Sequence, residues 1–365
     1  MINNYIFTSE SVSDGHPDKV ADQISDALVD AGIKNGDETT RVAIETLVTT
    51  NHVTVSGETK NFNVDNVEDI VRDTVKEIGY EQEGFHWNKL DITNKIHFQS
   101  TDIALGTDNF GAGDQGIMFG YACDDNEAYL PAPIYYSHEI LKNLKKARYI
   151  FTSESARILE PDAKSQVSVQ YEGGKVSRVD QVVVSSQHAD QGIDDTRNIC
   201  RTIASDTLGD LVDDDTVFHL NPTGNFVIGG PDGDTGVTGR KIIVDTYGGF
   251  APHGGGAFSG KDPTKVDRSA TYMARWLAKN VVADNMADWC QIQLSYAIGV
   301  KEPTSVYVNS NGHDRSIQKY ILENIDLTPK GIIDRFDLFN FTKYKENCVY
   351  GHFGDKDVPW ENLGW

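Results

Sequence analysis

The sequence predicts a compact α+β protein, and two observations carry that prediction. Segments with helical spacing of apolar residues alternate with segments of strand-type alternation along the chain, and no linker or low-complexity stretch separates them. With 365 residues, of which 39% are hydrophobic and 24% charged, the chain can bury a large core and is long enough for two or three domains. We therefore expect one multi-part α+β body.

Helices are predicted where apolar residues recur three and four positions apart. The first begins at Pro17 and closes at Gly36, which places His16 immediately before its start. Similar spacing predicts helices over 67–78, 134–144, 266–281 and 314–324. The helix at 266–281 puts Lys265 and Asp267 at its N-terminal turn.

Strands are predicted where β-branched residues alternate with polar ones. The stretches 41–50 and 52–59 indicate a hairpin that turns at Asn51, with Glu45 and Glu58 on its strands or rim. Further strands are expected near 95–99, 116–122, 165–171, 176–185, 241–247, 290–300 and 304–309. Glycine clusters between 224 and 260 surround the 241–247 strand, so loops there are expected to bring backbone close to a ligand.

Charge and cysteine content exclude several classes of protein. The formal net charge of −22 opposes general binding to nucleic acid or anionic membranes, so phosphate chemistry would need a local cluster of cations. The four cysteines, Cys123, Cys200, Cys290 and Cys348, lie far apart and are expected to be buried thiols. No targeting segment or membrane span is evident, so we expect a soluble cytoplasmic protein.

The stretch GGGAFSGKDPTK, residues 254–265, nearly matches a phosphate-binding loop. Gly255, Gly260 and Lys261 have the required spacing, but Asp262 stands where such a loop needs Ser or Thr to hold magnesium. A glycine loop with a lysine can bind phosphate, and it can equally be a flexible turn. Asp262 would repel a phosphate unless a metal ion intervened.

Two carboxylates near helix starts suggest how a metal could bind. Asp18 follows His16 and Asp267 follows Lys265, each by two residues, and such carboxylates suit Mg²⁺ that is completed by water and phosphate oxygens. Either aspartate could instead stabilise its helix N-terminus. The bases beside turn residues would form a positive pocket if they converge: Lys19, Lys164, Arg240, Lys241, Lys261 and Lys265.

Several motifs together resemble the S-adenosylmethionine synthetase family. They are FTSESVSDGHPDKVADQISDA (7–27), GAGDQGIMFGYA (111–122), PDAKSQV (161–167), the glycine-rich stretch 221–249 and HGGGAFSGKDPTKVDRSA (253–270). The resemblance covers practically the whole chain. It implies attack of the methionine sulfur on ribose C5′ of ATP, followed by hydrolysis of the expelled triphosphate to pyrophosphate and phosphate.

The resemblance also implies roles for individual residues. Catalytic groups would be His16, Lys164, Arg240, Lys241, Lys261 and Lys265. ATP would be bound by His16, Asp162, Lys164, Asn225, Phe226, Asp234, Arg240, Lys241, Ala257 and Lys261. Methionine would be held by Glu58, Gln99, Asp234 and Lys265. Asp18 and Asp267 would bind two Mg²⁺ ions per site, Glu45 would help bind K⁺, and Asp114 matches a further active-site position.

The implied architecture has three interleaved α/β units related by pseudo-threefold symmetry. Along the chain these correspond to an N-terminal segment (4–100), a central segment (111–229) and a C-terminal segment (231–362), with a mobile gate loop at 101–110. Flat sheets would pack at a homodimer interface with shared active sites, in a dimer of dimers. Two other hypotheses stay open at this stage: a catalytically silent regulatory subunit, and an unrelated kinase or NTPase that uses GGAFSGKD.

Overall fold

The computed structural model describes residues 4–62, 66–99, 111–150, 158–190 and 192–365. The predicted gate loop, 101–110, lies outside the described residues. The strands are β1 (Tyr5–Val12), β2 (Arg41–Thr49), β3 (His52–Lys60), β4 (Glu81–Gln82), β5 (Phe85–His86), β6 (Asp91–Phe98), β7 (Gly116–Cys123), β8 (Leu159–Glu172), β9 (Lys175–His188), β10 (Val217–Leu220), β11 (Gly236–Val237), β12 (Trp289–Tyr296) and β13 (Ser305–Ser310). The helices are α1 (Pro17–Asn35), α2 (Val67–Ile78), α3 (Ala132–Ile150), α4 (Ile193–Leu208), α5 (Val266–Ala283), α6 (Asp314–Asn324), α7 (Pro329–Phe336) and α8 (Tyr344–Asn347).

The larger sheets each combine strands from two segments of the chain. The first sheet has the strand order β1-β8-β9-β10, the second β11-β2-β3-β6 and the third β13-β12-β7. Strand β1 thus joins strands of the central segment, β11 joins strands of the N-terminal segment, and β7 joins strands of the C-terminal segment. The chain is a mixed α/β protein whose segments are interleaved in space, while the predicted linear boundaries stay a prediction.

Helices cover one face of each of these sheets. Helices α3 and α4 pack on the first sheet, α1 on the second with α2 beside it, and α5 and α6 on the third. In β2 the alternation is regular, because Val42, Ile44 and Val48 are fully buried under α1 while Glu45 and Leu47 are exposed on the other face. Within the described residues, the opposite faces of the sheets therefore remain open in one copy of the chain.

Helix α1 carries four aspartates on one face. Asp18, Asp22, Asp26 and Asp30 follow one another at intervals of four residues, which places them one above the other. Each accepts backbone N–H groups from distant residues: Asp18 from Val237 (3.0 Å), Asp22 from Gly239 (2.8 Å), Asp26 from Gly260 (2.9 Å), and Asp30 from Tyr344 and Lys345 (both 2.9 Å). We call these four residues the aspartate ladder.

The prediction that Lys19 belongs to a ligand-facing set of cations is wrong. Its ammonium group is fully buried, where it pairs with Asp22 (2.9 Å) and Asp245 and donates to the carbonyl of Cys348 (2.8 Å). A buried ammonium group needs such partners because desolvation is costly. Lys19 is therefore a structural residue beneath the site.

The predicted strand at 241–247 is also wrong, because this stretch forms consecutive turns. The N–H of Asp245 donates to the carbonyl of Lys241 (2.9 Å), and the N–H of Gly248 donates to that of Ile243 (3.0 Å). The buried Asp245 carboxylate pairs with the Lys19 ammonium group. Tyr247 is buried against Phe353, and their ring centroids are 5.3 Å apart. These tertiary contacts override the β propensity of the sequence.

The other predicted elements are confirmed, except that the strand predicted over 290–300 ends at Tyr296. The hairpin turns at Asn51, whose φ of 45° is left-handed, and the helix at 266 begins directly after Lys265. The four cysteines are buried free thiols. Strands β1, β4, β5, β10 and β11 and helices α4, α7 and α8 were not predicted. Within the described residues, no helix is both long and apolar enough to cross a membrane.

The contact between β7 and α5 gives a stability prediction. A Cβ at Gly120 would lie 1.9 Å from the backbone oxygen of Ala274, so Gly120→Ala must displace α5 from the sheet. We expect a loss of about 1–3 kcal/mol or more in the free energy of unfolding, measured by urea denaturation. Gly233→Ala is the control, because its added Cβ meets nothing closer than 3.4 Å. Equal midpoints for the two variants would contradict the described packing.

Candidate active site

One group of predicted site residues gathers where α1 begins. It contains His16, Asp18, Asp162, Lys164, Arg240 and Lys241, and we call it the helix-start cluster. His16 is the N-cap of α1, and its Nδ1 accepts a hydrogen bond from the N–H of Asp18 at 3.1 Å. The cap fixes the imidazole ring at the positive end of the helix.

Asp18 is the best-held carboxylate of this cluster. It accepts hydrogen bonds from the N–H of Val237 (3.0 Å) and from Nζ of Lys241 (2.6 Å), and Nε of Arg240 lies 3.7 Å away. Burial raises the pKa of Asp18, but the hydrogen bonds from Lys241 and Val237 outweigh it and hold the pKa below its ordinary value. The group is therefore an ionised carboxylate, the form that binds a divalent cation.

Burial and nearby cations keep His16 neutral. Only 5% of the residue is exposed, and burial together with the charges of Lys241 and Lys164 lowers its pKa to about 3. Since Nδ1 accepts a hydrogen bond, the proton of the neutral ring is on Nε2. His16 therefore presents one N–H donor to the site.

Asp162 and Lys164 enter the cluster from β8. Oδ2 of Asp162 accepts from the N–H of Gly230 (2.8 Å), whereas its Oδ1 is buried without a hydrogen-bond partner. Burial raises the pKa of Asp162 to about 6. Lys164 is exposed, and no carboxylate pairs with it among the described residues. The Lys164 ammonium group suits an anionic group of a ligand, and the unpartnered oxygen of Asp162 suits a ligand group that donates a hydrogen bond.

The predicted adenine-binding residues lie on the loop after β10. The backbone of Phe226 is fixed by His188, which donates its N–H to the Phe226 carbonyl (2.9 Å) and accepts from the Phe226 N–H through Nε2 (3.0 Å). Asn225 and Asp234 are exposed. Ala257 lies beside the Gly239 turn, where an added Cβ would come within 2.7 Å of the Ala257 side chain.

A second group of predicted residues lies on the open face of the second sheet. It contains Glu45, Glu58, Lys261 and Asp267, and we call it the sheet-face cluster. Ala43 pairs with Glu58 across the sheet and with Lys261 in a short bridge, so the side chains of Glu45, Glu58 and Lys261 share one face. Nζ of Lys261 contacts Oδ2 of Asp267 at 2.7 Å.

Charge repulsion is visible within this cluster. Burial and the neighbouring Glu58 carboxylate raise the pKa of Glu45, and the Lys261 ammonium group partly opposes the rise. A monovalent cation between the two carboxylates would relieve this repulsion. The residues present therefore fit the predicted K⁺ ligand role of Glu45.

Asp262 faces the protein interior rather than a phosphate. It is fully buried and accepts from the N–H groups of Val42 (2.8 Å) and Thr264 (2.9 Å) and from Nζ of Lys265 (2.9 Å). The expected repulsion between Asp262 and a bound phosphate is therefore wrong. Lys265 is held by this aspartate, so its ammonium group does not point freely into the site.

The remaining predicted residues border the sheet-face cluster. The N–H of Gln99 donates to the Thr59 carbonyl (2.8 Å), and the side-chain oxygen of Gln99 is buried without a partner, which fits the capture of an ammonium group. Nε2 of His97 lies 3.6 Å from the Glu58 carboxylate. Asp114 is exposed just before β7, where its side chain accepts the N–H of Gln115 (2.7 Å).

Hydrogen bonds connect both clusters to helix α1, but the two clusters remain apart. Asp18 and Asp22 hold the turn that carries Arg240 and Lys241, and Asp26 holds the loop that carries Lys261. Between the described side chains of the two clusters, no hydrogen bond or ion pair is formed. The described residues also contain no group of three His, Cys, Asp or Glu side chains able to hold a metal. Asp18 and Asp267 could each supply one carboxylate ligand to Mg²⁺. This ion commonly binds one or two carboxylates and completes its coordination with water and phosphate oxygens.

Sequence reasoning missed the residues that support the clusters. Asp22, Asp26 and Arg268 touch the loops of the site, and His188 fixes Phe226. The four-residue spacing of the aspartates within α1 was a readable signal, because it places them on one helix face. No local pattern marked Arg268 or His188, whose partners are distant in sequence.

Comparison with known proteins identifies the family of the chain. Residues 4–101, 109–226 and 228–362 match models of the N-terminal, central and C-terminal domains of S-adenosylmethionine synthetase. The S-adenosylmethionine synthase of Paramagnetospirillum magneticum is 54% identical, over 98% of this chain and 96% of the relative. Those of Rhodospirillum centenum and a Methylobacterium species are each 53% identical, with the same coverage. The chain therefore belongs to the S-adenosylmethionine synthetase family.

Proposed function

We propose that this chain forms S-adenosylmethionine from ATP and L-methionine with the residues of the two clusters and then hydrolyses the bound triphosphate. The sulfur of methionine attacks ribose C5′, the C5′–O5′ bond breaks, and the triphosphate leaves. One observation carries the proposal. In a chain with a net charge of −22, Arg240 and Lys241 both lie at Asp18, and Lys261 lies at Asp267.

The reaction needs charge stabilisation more than proton transfer. A thioether sulfur carries no proton, so no general base is required, and the barrier lies in alignment and in the charge that builds on the leaving triphosphate. Lys164, Arg240, Lys241 and Lys261 would surround that charge. Mg²⁺ held by Asp18 and Asp267 would neutralise more of it.

His16 would assist the leaving oxygen. Its Nε2–H is a neutral donor in a buried position, and a donor aimed at developing negative charge is worth most where water is excluded. Asp162 would accept from the nucleoside through its unpartnered oxygen, and Phe226 would lie against the adenine with Asn225 beside it.

Methionine would be bound at the border of the sheet-face cluster. Glu58 and the unpartnered oxygen of Gln99 would hold its ammonium group, with Asp234 and Lys265 nearby. Lys265 must first release Asp262 to reach a substrate carboxylate, because the two are 2.9 Å apart. Glu45 would bind K⁺, and Asp114 would complete the active-site set.

The active site would be shared between two copies of the chain. The open sheet faces carry large exposed apolar side chains, namely Ile6, Leu47, Ile117 and Tyr307. Such surfaces are typical of a protein–protein interface. Packing two copies through these sheets would bring the helix-start cluster of one to the sheet-face cluster of the other, and two such pairs would form a tetramer.

The first test is incubation of the protein with ATP, methionine, Mg²⁺ and K⁺. We expect S-adenosylmethionine by mass spectrometry, with pyrophosphate and phosphate in equal amounts, and less product when Na⁺ replaces K⁺. Accumulation of intact triphosphate would contradict the second step. ATP binding without any sulfonium product would favour a silent regulatory subunit instead.

His16→Asn separates catalysis from helix capping. Asparagine can accept the N–H of Asp18 as His16 does, so the cap is preserved. Its amide N–H group ends short of the Nε2 position, so the donor to the leaving oxygen is lost there. We expect kcat to fall about 10²–10³-fold with little change in thermal unfolding at pH 8. A kcat within threefold of wild type would contradict the role of His16.

The same variant should change the pH dependence of stability. The unfolded chain protonates His16 below about pH 6.5, whereas the folded protein keeps it neutral to about pH 3. The wild type therefore loses stability through this group as the pH falls, and His16→Asn should lose less over the same range.

A further inference from the structure

We propose that the buried pair Asp26–Arg268 is a positioning unit that fixes the Lys261 ammonium group in the triphosphate site. This inference rests on the proposed role of Lys261. Neither Asp26 nor Arg268 has any exposed surface, so neither can touch a substrate directly.

The pair holds the chain on both sides of the Lys261 Cα. Nη2 of Arg268 donates to both oxygens of Asp26, at 2.7 and 2.6 Å, and Nη1 donates to the Lys261 carbonyl at 2.8 Å. Oδ1 of Asp26 also accepts the N–H of Gly260 at 2.9 Å. The ion pair therefore fixes the N–H group of Gly260, just before Lys261, and the carbonyl group of Lys261 itself.

The loop has little freedom to shift against β2. Gly260 has a φ of +83°, and an added Cβ would lie 2.0 Å from the backbone oxygen of Ile44. The N–H of Ile44 donates to the Gly260 carbonyl (2.9 Å). The loop thus lies against the strand, and the Arg268 contact closes it from the opposite side.

Arg268 also connects Lys261 to its partner carboxylate. It lies one residue after Asp267 on α5, and Asp267 contacts the Lys261 ammonium group at 2.7 Å. Asp26 belongs to α1. The pair therefore ties the two ends of the Lys261–Asp267 contact to the helix that also holds Asp18.

Stability alone does not account for this arrangement. Replacing a buried ion pair by well-packed apolar residues is often neutral or stabilising, because the desolvation of two charges offsets their attraction. The guanidinium group adds what an apolar pair could not, namely a fork that holds Asp26 and a carbonyl together.

Arg268→Lys is the test, because a lysine keeps the charge near Asp26 but has no guanidinium fork, whose separate nitrogens reach Asp26 and the Lys261 carbonyl in the same geometry. We expect kcat to fall roughly 10–100-fold, and the affinity for inorganic triphosphate with Mg²⁺, measured by calorimetry, to fall about tenfold. The KM for methionine should stay within about twofold, since the Gln99 side of the site is untouched.

Arg275→Lys is the matched control. Arg275 is also buried on α5, is paired with Glu361 (2.8 Å) and holds the carbonyls of Tyr121 and Ala128, but it lies two turns further along the helix and away from the site. Arg275→Lys should lower the unfolding temperature to a similar extent while kcat stays within about twofold of wild type.

A double variant separates positioning from a general loss of structure. If Arg268 acts through Lys261, then Arg268→Lys should cost nothing further in a Lys261→Met background. Full activity of Arg268→Lys, or an undiminished further loss in that background, would overturn the inference. Wild-type kcat in Lys261→Met alone would instead overturn the proposed role of Lys261.

Asp26→Asn carries the same test if Arg268→Lys fails to unfold cooperatively. The amide oxygen of asparagine can still accept the Gly260 N–H, while one oxygen contact to Arg268 is lost. We expect the same fall in kcat and the same lack of further loss with Lys261→Met, and an unchanged kcat would overturn the inference.

Discussion

The aspartate ladder of α1 is the constraint on which the site depends. A buried carboxylate must be matched by donors, and each member of the ladder finds them in backbone N–H groups far along the chain. The helix therefore fixes the turn that carries Arg240 and the loop that carries Lys261. These bonds set the position of the glycine-rich loops relative to His16, which caps the same helix.

Two lysine–aspartate pairs place positive charge in the proposed polyphosphate site of this acidic protein. Lys241 contacts Asp18 and Lys261 contacts Asp267, so each positive charge is paired with a carboxylate. In the proposed reaction, a metal–triphosphate complex would offer a metal ion to each carboxylate and phosphate oxygens to each lysine. This exchange would keep every charge paired, which would limit the cost of bringing the charges together in a partly buried site.

Much of the fold could be predicted from periodicity alone. The helix at 17–36 and the hairpin at Asn51 follow from local spacing and turn chemistry, and both are confirmed. The strand prediction for 241–247 was wrong because Asp245 pairs with the buried Lys19, a contact that no local sequence pattern contains. The same limit explains why Lys19 was placed in the ligand site and why Arg268 was missed.

The sequence predicted which residues belong to the candidate site, but it did not predict that they form two separate clusters. Resemblance named Asp18 and Lys261 together, whereas only the structure separates the helix-start cluster from the sheet-face cluster. That separation rests on strand register, since the pairing of Ala43 with Glu58 and Lys261 puts these side chains on the open face. Register of this kind depends on long-range pairing, which sequence spacing does not reveal.

Subunit complementation tests most directly whether the two clusters meet only between copies. Lys164→Met impairs the helix-start cluster and Lys261→Met impairs the sheet-face cluster, so each variant alone should retain only a small residual activity. After the two are mixed, unfolded and refolded together, a shared site predicts recovery of about a quarter of wild-type activity, because half of the dimers then contain one intact site. A mixture no more active than its components would contradict a site built from two copies.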